Sequence, residues 1–268
     1  MGESDKLAIV ISGGGMRCAY SVGTLLAFGQ SEVFQEYPKL RKPDLIVGIS
    51  GSLGALAYKI AGQYDSFRNI WEKLLTTGRF INFRRWRMIM DIDYLVYEVF
   101  GIMDPFDVSA ILSSDIDFWI AVTNKKTGKP EFFKAQDCKN QSEFVELMRA
   151  GMSPPFIYGK YVDFRGGQYY DGGVLAGINE AIEEAFKRGA TKVIAIDHAL
   201  NNLLLNILMG RQPFPRKKYR NDPRVLLIEP KKLSVGFLTD SEEKIRLAID
   251  TGYDEAINNQ SILRFLIS

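Results

Sequence analysis

The chain has 268 residues, of which 46% are hydrophobic and 25% charged, which is ordinary for a folded globular protein. Its formal net charge of +2 gives no indication of nucleic-acid binding, which a strongly basic chain would suggest. One histidine and two distant cysteines, Cys18 and Cys138, do not have the spacing of a zinc site, so we expect no metal and no cofactor.

The beginning of the sequence is polar and acidic, Met1-Gly-Glu-Ser-Asp-Lys6, and does not have the pattern of a secretory signal peptide. No apolar run reaches the roughly 18 residues of a membrane-spanning helix. We therefore expect a cytoplasmic protein with free thiols, whose only membrane association would be peripheral.

The first motif is a glycine loop between a strand and a helix. Leu7–Ser12 predicts a buried strand, Gly13-Gly-Gly-Met-Arg17 follows, and Ala19–Phe28 predicts a helix. Backbone N–H groups of such a loop form an anion cradle at the helix N-terminus. One hypothesis is a dinucleotide fingerprint, in which Cys18 replaces the third glycine. We favour the other, an oxyanion hole, because it uses this loop together with the next motif.

The second motif joins another short strand to another helix. Leu45–Val47 predicts a strand, Gly48-Ile-Ser50-Gly-Ser52 a sharp turn, and Leu53–Ile60 a helix. This is typical of a nucleophile elbow, G-x-S-x-G, with serine in place of the last glycine. Ser50 is therefore the candidate nucleophile. The alternative is an ordinary turn in which Ser50 or Ser52 caps the helix.

Residues 78–106 are dense in aromatic residues, methionine and arginine, including Arg84-Arg-Trp-Arg87. Such a stretch is typical of a membrane contact or of the lining of an acyl-chain channel. Packing into the core is the alternative we favour, because aromatic and methionine side chains usually pack.

The third motif, Asp171-Gly-Gly173, follows a predicted hairpin at Lys160–Tyr170. A serine nucleophile needs a base, for which the candidates are Asp171 and His198. The order Ser50, Asp171, His198 is that of α/β-hydrolase triads. Asp-Gly turns without any chemistry are also common.

Other segments complete an alternation of strands and helices. Leu200–Met209 and Arg211–Arg220 are expected to form a surface loop, with a mobile lid or a membrane contact as alternatives. Thr239-Asp-Ser-Glu242 resembles a capping box that opens the last helix. The pattern predicts a single α/β domain over residues 1–268, a three-layer sandwich with a mostly parallel central sheet.

Taken together, the three motifs in this order and strand context resemble the patatin-like phospholipases. The resemblance implies a Ser–Asp dyad without histidine, in which Ser50 is the acyl nucleophile and Asp171 the base. It implies a lipid ester as the substrate and no cofactor, metal or nucleic acid. It leaves the oligomeric state and the lipid class open.

The resemblance also assigns the motif glycines. Backbone N–H groups around Gly14, Gly15 and Met16 would form the oxyanion hole, with Arg17 supporting the loop. The remaining motif positions are Gly13, Gly48, Gly51, Ser52, Gly172 and Gly173. The chain departs from the family pattern at Cys18 and Ser52, which replace glycines, and at Asn179, where proline is frequent. These departures keep a third hypothesis open, a catalytically silent lipid-binding protein.

Overall fold

The computed structural model describes residues 5–198 and 218–267. The described strands are β1 Leu7–Ile11, β2 Leu45–Gly48, β3 Asp117–Asn124, β4 Lys129–Lys134, β5 Val162–Phe164, β6 Gly167–Asp171, β7 Lys192–Ile196 and β8 Val225–Ile228. The α-helices are α1 Ala19–Gln30, α2 Pro38–Arg41, α3 Ser52–Ile60, α4 Ser66–Arg68, α5 Val108–Leu112, α6 Gln141–Gly151, α7 Ile178–Lys187, α8 Glu242–Ile257 and α9 Gln260–Ile267. Two π-helical segments cover Asn69–Leu74 and Tyr94–Met103, and 3-10 turns cover Gly15–Cys18, Glu32–Phe34, Ala135–Asp137 and Gly172–Val174.

The described strands form one eight-stranded sheet in the order β5-β6-β3-β2-β1-β7-β8, with β4 paired to β3. The pairs β1–β2, β1–β7, β2–β3 and β7–β8 are parallel, whereas β4, β5 and β6 pair antiparallel. Every residue of β1 and β2 is buried, as expected for parallel strands with helices on both faces. The predicted α/β fold with a mostly parallel sheet is confirmed.

Two apolar cores cover the two faces of the sheet. Ile9 and Ile11 of β1 face the larger core, which includes α1, α3 and α8. Ala8 and Val10 face the smaller core, where the apolar side of α7 packs. Alternate residues of one strand thus enter opposite cores, and the three predicted layers of helix, sheet and helix follow.

Helices α1 and α8 cross closely, which fixes the helix that follows the glycine loop. Thr24 Oγ1 donates to the carbonyl of Gly252 at 3.3 Å. A Cβ on Gly252 would overlap the backbone of Tyr20, and one on Gly23 the backbone of Ile249. Glycine at both positions therefore allows the two backbones to approach.

The strand pairing brings β2 and β6 together at their ends. Gly48, the last residue of β2, lies opposite Ile120 of β3, and Asp171, the last of β6, lies opposite Val122. Because β4 occupies the other edge of β3 along Trp119–Asn124, β2 and β6 share one edge and run towards each other. Their ends are two β3 residues apart, about 7 Å. Side chains that follow these two strands consequently meet.

Two predicted features differ or lie outside the described ranges. Helix α8 is capped by Ser241, whose hydroxyl accepts from the N–H of Lys244 at 3.4 Å, and not by Thr239, which accepts from Gly236 N–H. The loop, lid or membrane contact predicted for residues 200–220 falls almost entirely outside the described residues and stays a prediction. In 5–198 and 218–267, no helix has both the length and the apolarity to cross a bilayer.

Candidate active site

Ser50 lies in a sharp turn between β2 and α3. Its φ is 57°, in the left-handed region that non-glycine residues seldom adopt. The N–H of Leu53 donates to the carbonyl of Ser50 at 3.0 Å, which closes the turn into the helix. The side chain is therefore held at the end of the strand and at the N-terminus of α3, as the elbow interpretation requires.

Ser52 replaces the usual glycine and is fully buried. Its Oγ accepts from the N–H of Ile49 at 3.0 Å and lies 2.9 Å from the carbonyl oxygen of the same residue. The hydroxyl therefore satisfies both polar groups of the residue before Ser50. The elbow conformation is compatible with serine here because the side chain joins the turn's own hydrogen bonds.

The Asp171 carboxylate contacts Ser50 directly. Ser50 Oγ donates to Asp171 Oδ2 at 2.7 Å, and the N–H of Gly173 donates to Asp171 Oδ1 at 2.7 Å. Neighbouring groups also hold the Asp171 backbone. Its N–H donates to Ser153 O at 3.0 Å, and its carbonyl accepts from Thr123 Oγ1 at 2.9 Å. Both Ser50 and Asp171 are buried, so the pair is shielded from bulk water and fixed in one geometry.

The three motif loops touch one another around Ser50. A Cβ on Gly13 would lie 2.9 Å from the Ser50 Cβ, and one on Gly173 would lie 3.2 Å from it. A Cβ on Gly51 would approach the Gly15 carbonyl at 2.8 Å. The predicted meeting of the glycine loop, the elbow and the Asp-Gly-Gly turn is thus present, with Gly48 ending β2 and Gly172 starting the 3-10 turn after β6.

Backbone donors in the glycine loop are not equivalent. The N–H of Met16 donates to the carbonyl of Phe237 at 3.1 Å, and the N–H of Arg17 donates to Gly14 O at 3.2 Å. Within 5–198 and 218–267, no backbone bond engages the N–H of Gly14 or Gly15. The predicted set of three amide donors therefore narrows to Gly14 and Gly15.

Phe237 was not among the predicted site residues. It lies in the segment before α8, its carbonyl covers the glycine loop, and its ring lines the pocket described below. No motif surrounds it in the sequence, and only the long-range pairing of this segment with Met16 places it there.

His198 lies behind the glycine loop and is 1% exposed. Its backbone N–H donates to Ser12 Oγ at 3.2 Å, but neither ring nitrogen has a hydrogen-bond partner among the described residues. Burial lowers the pKa of His198 to about 4, so the ring is neutral near pH 7. Because it bonds neither Ser50 nor Asp171, this geometry does not support a Ser–Asp–His triad.

Arg17 and Cys18 are buried beneath the loop. The Arg17 Nε has no hydrogen-bond partner in the described part of the chain, and burial lowers the pKa of its guanidinium. Burial raises the pKa of the Cys18 thiol, which makes it unreactive, and its Sγ would lie 3.2 Å from a Cβ on Gly51. Both side chains pack beneath the loop.

The nucleotide hypothesis finds no support in the glycine loop. The loop is closed on one side by Ser50 and on another by Phe237, whose carbonyl oxygen would lie 2.6 Å from a Cβ on Gly15. A pyrophosphate needs this space and the first-turn N–H groups together, yet the Met16 N–H is already bonded.

Ser50 and Asp171 both line an apolar pocket. Its apolar lining comes from several distant segments: Met16, Trp71, Leu75, Phe80, Met90, Ile92, Leu95, Phe100, Met152, Pro154 and Phe237. Five of these fall in the stretch 78–106, so its buried side chains both pack in the core and line the pocket. Among the described residues, no three His, Cys, Asp or Glu side chains cluster as metal ligands would.

Comparison with known sequences gives two matches. The profile of the family described as "Patatin-like phospholipase" matches residues 9–182, which include all three motifs. A protein of Escherichia coli strain K12, named "Uncharacterized protein YjjU", is 25% identical over 199 residues. The match covers 72% of this chain and 52% of that protein, so the chain spans about half the length of the curated relative it matches.

Similar solved structures include the following two. VipD from Legionella pneumophila superposes with a TM-score of 0.51 at 13% identity, over 99% of this chain and 67% of that one. Human GIVD cytosolic phospholipase A2, in complex with methyl gamma-linolenyl fluorophosphonate, gives a TM-score of 0.49 at 12% identity, over 98% of this chain and 59% of that one. At these identities the likeness to VipD concerns the fold.

Proposed function

Since the chain belongs to the patatin-like phospholipase family, we propose that it is a serine acyl hydrolase that cleaves carboxylic ester bonds of lipids through a Ser50–Asp171 dyad. The observation that carries the proposal is the hydrogen bond of 2.7 Å from Ser50 Oγ to Asp171 Oδ2. In this bond the Asp171 carboxylate accepts the hydroxyl proton of the candidate nucleophile, at a distance suited to general-base catalysis.

In the first step, Asp171 accepts the hydroxyl proton as Ser50 Oγ attacks the ester carbonyl. The second carboxylate oxygen keeps its bond from the Gly173 N–H, which holds the carboxylate in place during the transfer. Collapse of the tetrahedral intermediate releases the alcohol, which takes the proton from Asp171, and leaves an acyl-Ser50 ester. Water, deprotonated by Asp171, then attacks this ester. The second tetrahedral intermediate collapses, the fatty acid leaves, and Ser50 Oγ takes the proton back from Asp171.

The N–H groups of Gly14 and Gly15 are the proposed oxyanion donors. They belong to the loop that contacts Ser50, and no other backbone group of the described chain uses them. The carbonyl of Phe237 holds the next amide, Met16, and so fixes the loop in one conformation before substrate binds. A preorganised donor of this kind is worth roughly a hundred- to a thousandfold in rate.

The pocket beside Ser50 supports a lipid acyl chain as the group transferred. Its lining is almost wholly apolar, and burial of each CH₂ of a chain there contributes about 0.8 kcal/mol. Ser50 and Asp171 add a hydroxyl and a carboxylate to this apolar lining, and we propose that the ester binds beside them. We propose that the three-layer fold works as one acyl hydrolase domain that meets its lipid at a membrane surface.

A fluorophosphonate probe tests the nucleophile. Wild type is expected to form a covalent adduct at Ser50, found by peptide mass spectrometry, while Ser50→Ala is unlabelled and Ser52→Ala is labelled. An unlabelled wild type that is folded by circular dichroism would favour the silent lipid-binding protein instead.

A further inference from the structure

A short loop beside the pocket carries exposed aromatic and basic side chains. Ile81 and Met90 form an antiparallel bridge, and the N–H of Asn82 donates to Ile89 O at 2.8 Å. These bonds close a hairpin, and we call residues 83–87 at its end the tip loop. Phe83 is 63% and Trp86 89% exposed. Exposed aromatic side chains of this size expose apolar surface to water, which partners commonly cover.

The tip loop carries positive charge that the acidic side chains of the described ranges do not pair. Arg85 pairs with Asp91 at 2.7 Å and donates to the backbone carbonyls of Arg79 and Phe80, just before the hairpin, so its charge is already paired within the protein. Arg84 and Arg87 are exposed, and neither has an acidic partner within 4.0 Å in the described part of the chain. The surface therefore presents two unpaired guanidinium groups beside two aromatic rings.

The hairpin is continuous in sequence with two residues that line the pocket. Phe80, just before it, and Met90, at its end, both line the pocket. The N–H of Met90 donates to Ile157 O at 3.3 Å, which joins the hairpin to the segment of Pro154, another lining residue. Phe156 in that segment is 70% exposed. Phe83, Trp86 and Phe156 are each within four residues of a pocket-lining residue in the sequence. Four fully extended residues span at most about 14 Å.

We infer that Phe83, Trp86 and Phe156, with Arg84 and Arg87, form a docking surface for a bilayer of anionic phospholipids. Aromatic side chains enter the headgroup region while arginine binds the phosphates. Each basic residue near an anionic surface strengthens binding by about fivefold. The inference rests on the proposed function, since it assigns the surface at which that same pocket would receive its lipid.

Trp86 supplies a natural probe for this binding. The chain has three tryptophans, and the other two, Trp71 and Trp119, are 5% and 9% exposed. Insertion into a bilayer would therefore shift mainly the Trp86 emission to shorter wavelength. Trp86→Phe should keep most of the binding and lose the shift.

The experiment uses the full chain carrying Ser50→Ala, so that vesicles stay intact. Binding is measured by sedimentation and fluorescence with phosphatidylcholine vesicles and with vesicles of equal parts phosphatidylcholine and phosphatidylglycerol. We expect preferential binding to the second kind, weakened by added salt because the screening length shrinks. Arg84→Gln and Arg87→Gln should each reduce affinity about fivefold. The double variant Phe83→Ala, Trp86→Ala should reduce it by about tenfold or more, because the apolar surface of two rings is no longer buried in the bilayer.

Matched controls lie at the opposite end of the fold. Val33 is 43% exposed just beyond α1, about 18 Å from the start of that helix, and Lys42 is exposed just before β2. Val33→Ala and Lys42→Gln should bind as the parent does. All these positions are on the surface, so melting temperatures should stay unchanged.

The outcomes separate this inference from the proposed function. Equal binding to both vesicle types, or binding that the tip-loop variants do not alter, overturns the docking surface. If wild type then still hydrolyses a water-soluble short-chain ester, the proposed acyl hydrolase function is retained and only the docking surface is rejected. Vesicle binding with no ester hydrolysis by wild type would instead contradict the enzyme and leave the docking surface in place.

Discussion

The N–H of Met16 donates to the carbonyl of Phe237 at 3.1 Å, across more than two hundred residues of sequence. This bond fastens the glycine loop to the segment before α8. It removes one of the three amides that the motif offers to an oxyanion and leaves Gly14 and Gly15. The proposed oxyanion hole therefore depends on a residue that no motif contains.

Gly14→Ala should reduce ester hydrolysis by at least about a hundredfold, the scale of one lost oxyanion donor. The added Cβ would lie 2.9 Å from His198 Nδ1, and the loop has to move to avoid it. His198 Cε1 would lie 3.2 Å from the same Cβ, so the imidazole ring is its nearest obstacle.

A second substitution separates this contact from a general effect on folding. His198→Ala alone should stay active within a few fold, and Gly14→Ala combined with His198→Ala should regain much of the lost kcat/KM. A double variant no more active than Gly14→Ala would argue against the contact as the cause.

His198 should make the stability depend on pH in the acid range. Burial lowers its pKa in the folded protein to about 4, below about 6.5 in the unfolded chain. The unfolded state then binds more protons between these values, so the free energy of unfolding falls as pH drops from 6.5 towards 4. The loss is on the order of 3 kcal/mol, with the desolvation cost larger than the opposing effect of nearby Asp197. Urea unfolding of wild type and His198→Leu across this pH range measures the loss. If the free energy of unfolding fell equally with pH in both proteins, His198 would not be the cause.

Ser52→Ala should lower the free energy of unfolding by about 1–3 kcal/mol, because it removes the hydroxyl that accepts from the buried N–H of Ile49. The Ile49 carbonyl keeps the bond from the backbone N–H of residue 52. Urea unfolding measures the loss. Ser109→Ala, which removes an exposed hydroxyl on α5, is the control and should cost much less. An unchanged midpoint in Ser52→Ala would mean that the hydroxyl contributes nothing to the elbow.

Leu95→Trp should select against long acyl chains. Leu95 lines the pocket on the π-helical segment Tyr94–Met103, so a larger ring there shortens the space beside Ser50. We expect kcat/KM for a long-chain ester to fall at least about tenfold relative to an acetate ester, since several buried CH₂ groups are lost. Leu26→Trp is the control for overpacking, because Leu26 is buried on α1 and does not line the pocket. An equal fall in the relative kcat/KM of Leu26→Trp would contradict an acyl-chain pocket at Leu95.

Local pattern was sufficient for much of this molecule. The apolar runs of β1, β2 and β7, the turn at Ser50 and the hairpin before Asp171 each follow from short-range physics, since strand, turn and helix preferences are local. The parallel sheet followed from their alternation. The three motifs also identified the side chains that the fold brings together.

Features that depend on long-range pairing were not predictable in this way. That β2 and β6 meet end to end on one edge of β3 is set by strand pairings between distant segments. The position of Phe237 depends in the same way on where the segment before α8 lies. The cap of α8 is local, yet Thr239 and Ser241 are both good caps, and the sequence alone did not choose between them.

Hydrolysis of a panel of phospholipid, lysophospholipid and glyceride esters, assayed side by side for wild type, Ser50→Ala, Asp171→Asn and His198→Ala, tests the Ser50–Asp171 dyad most directly. We expect fatty-acid release by wild type and His198→Ala, and a loss of about 10⁴-fold or more in both Ser50→Ala and Asp171→Asn. Full activity in Asp171→Asn, or collapse of His198→Ala to the level of Ser50→Ala, would contradict it.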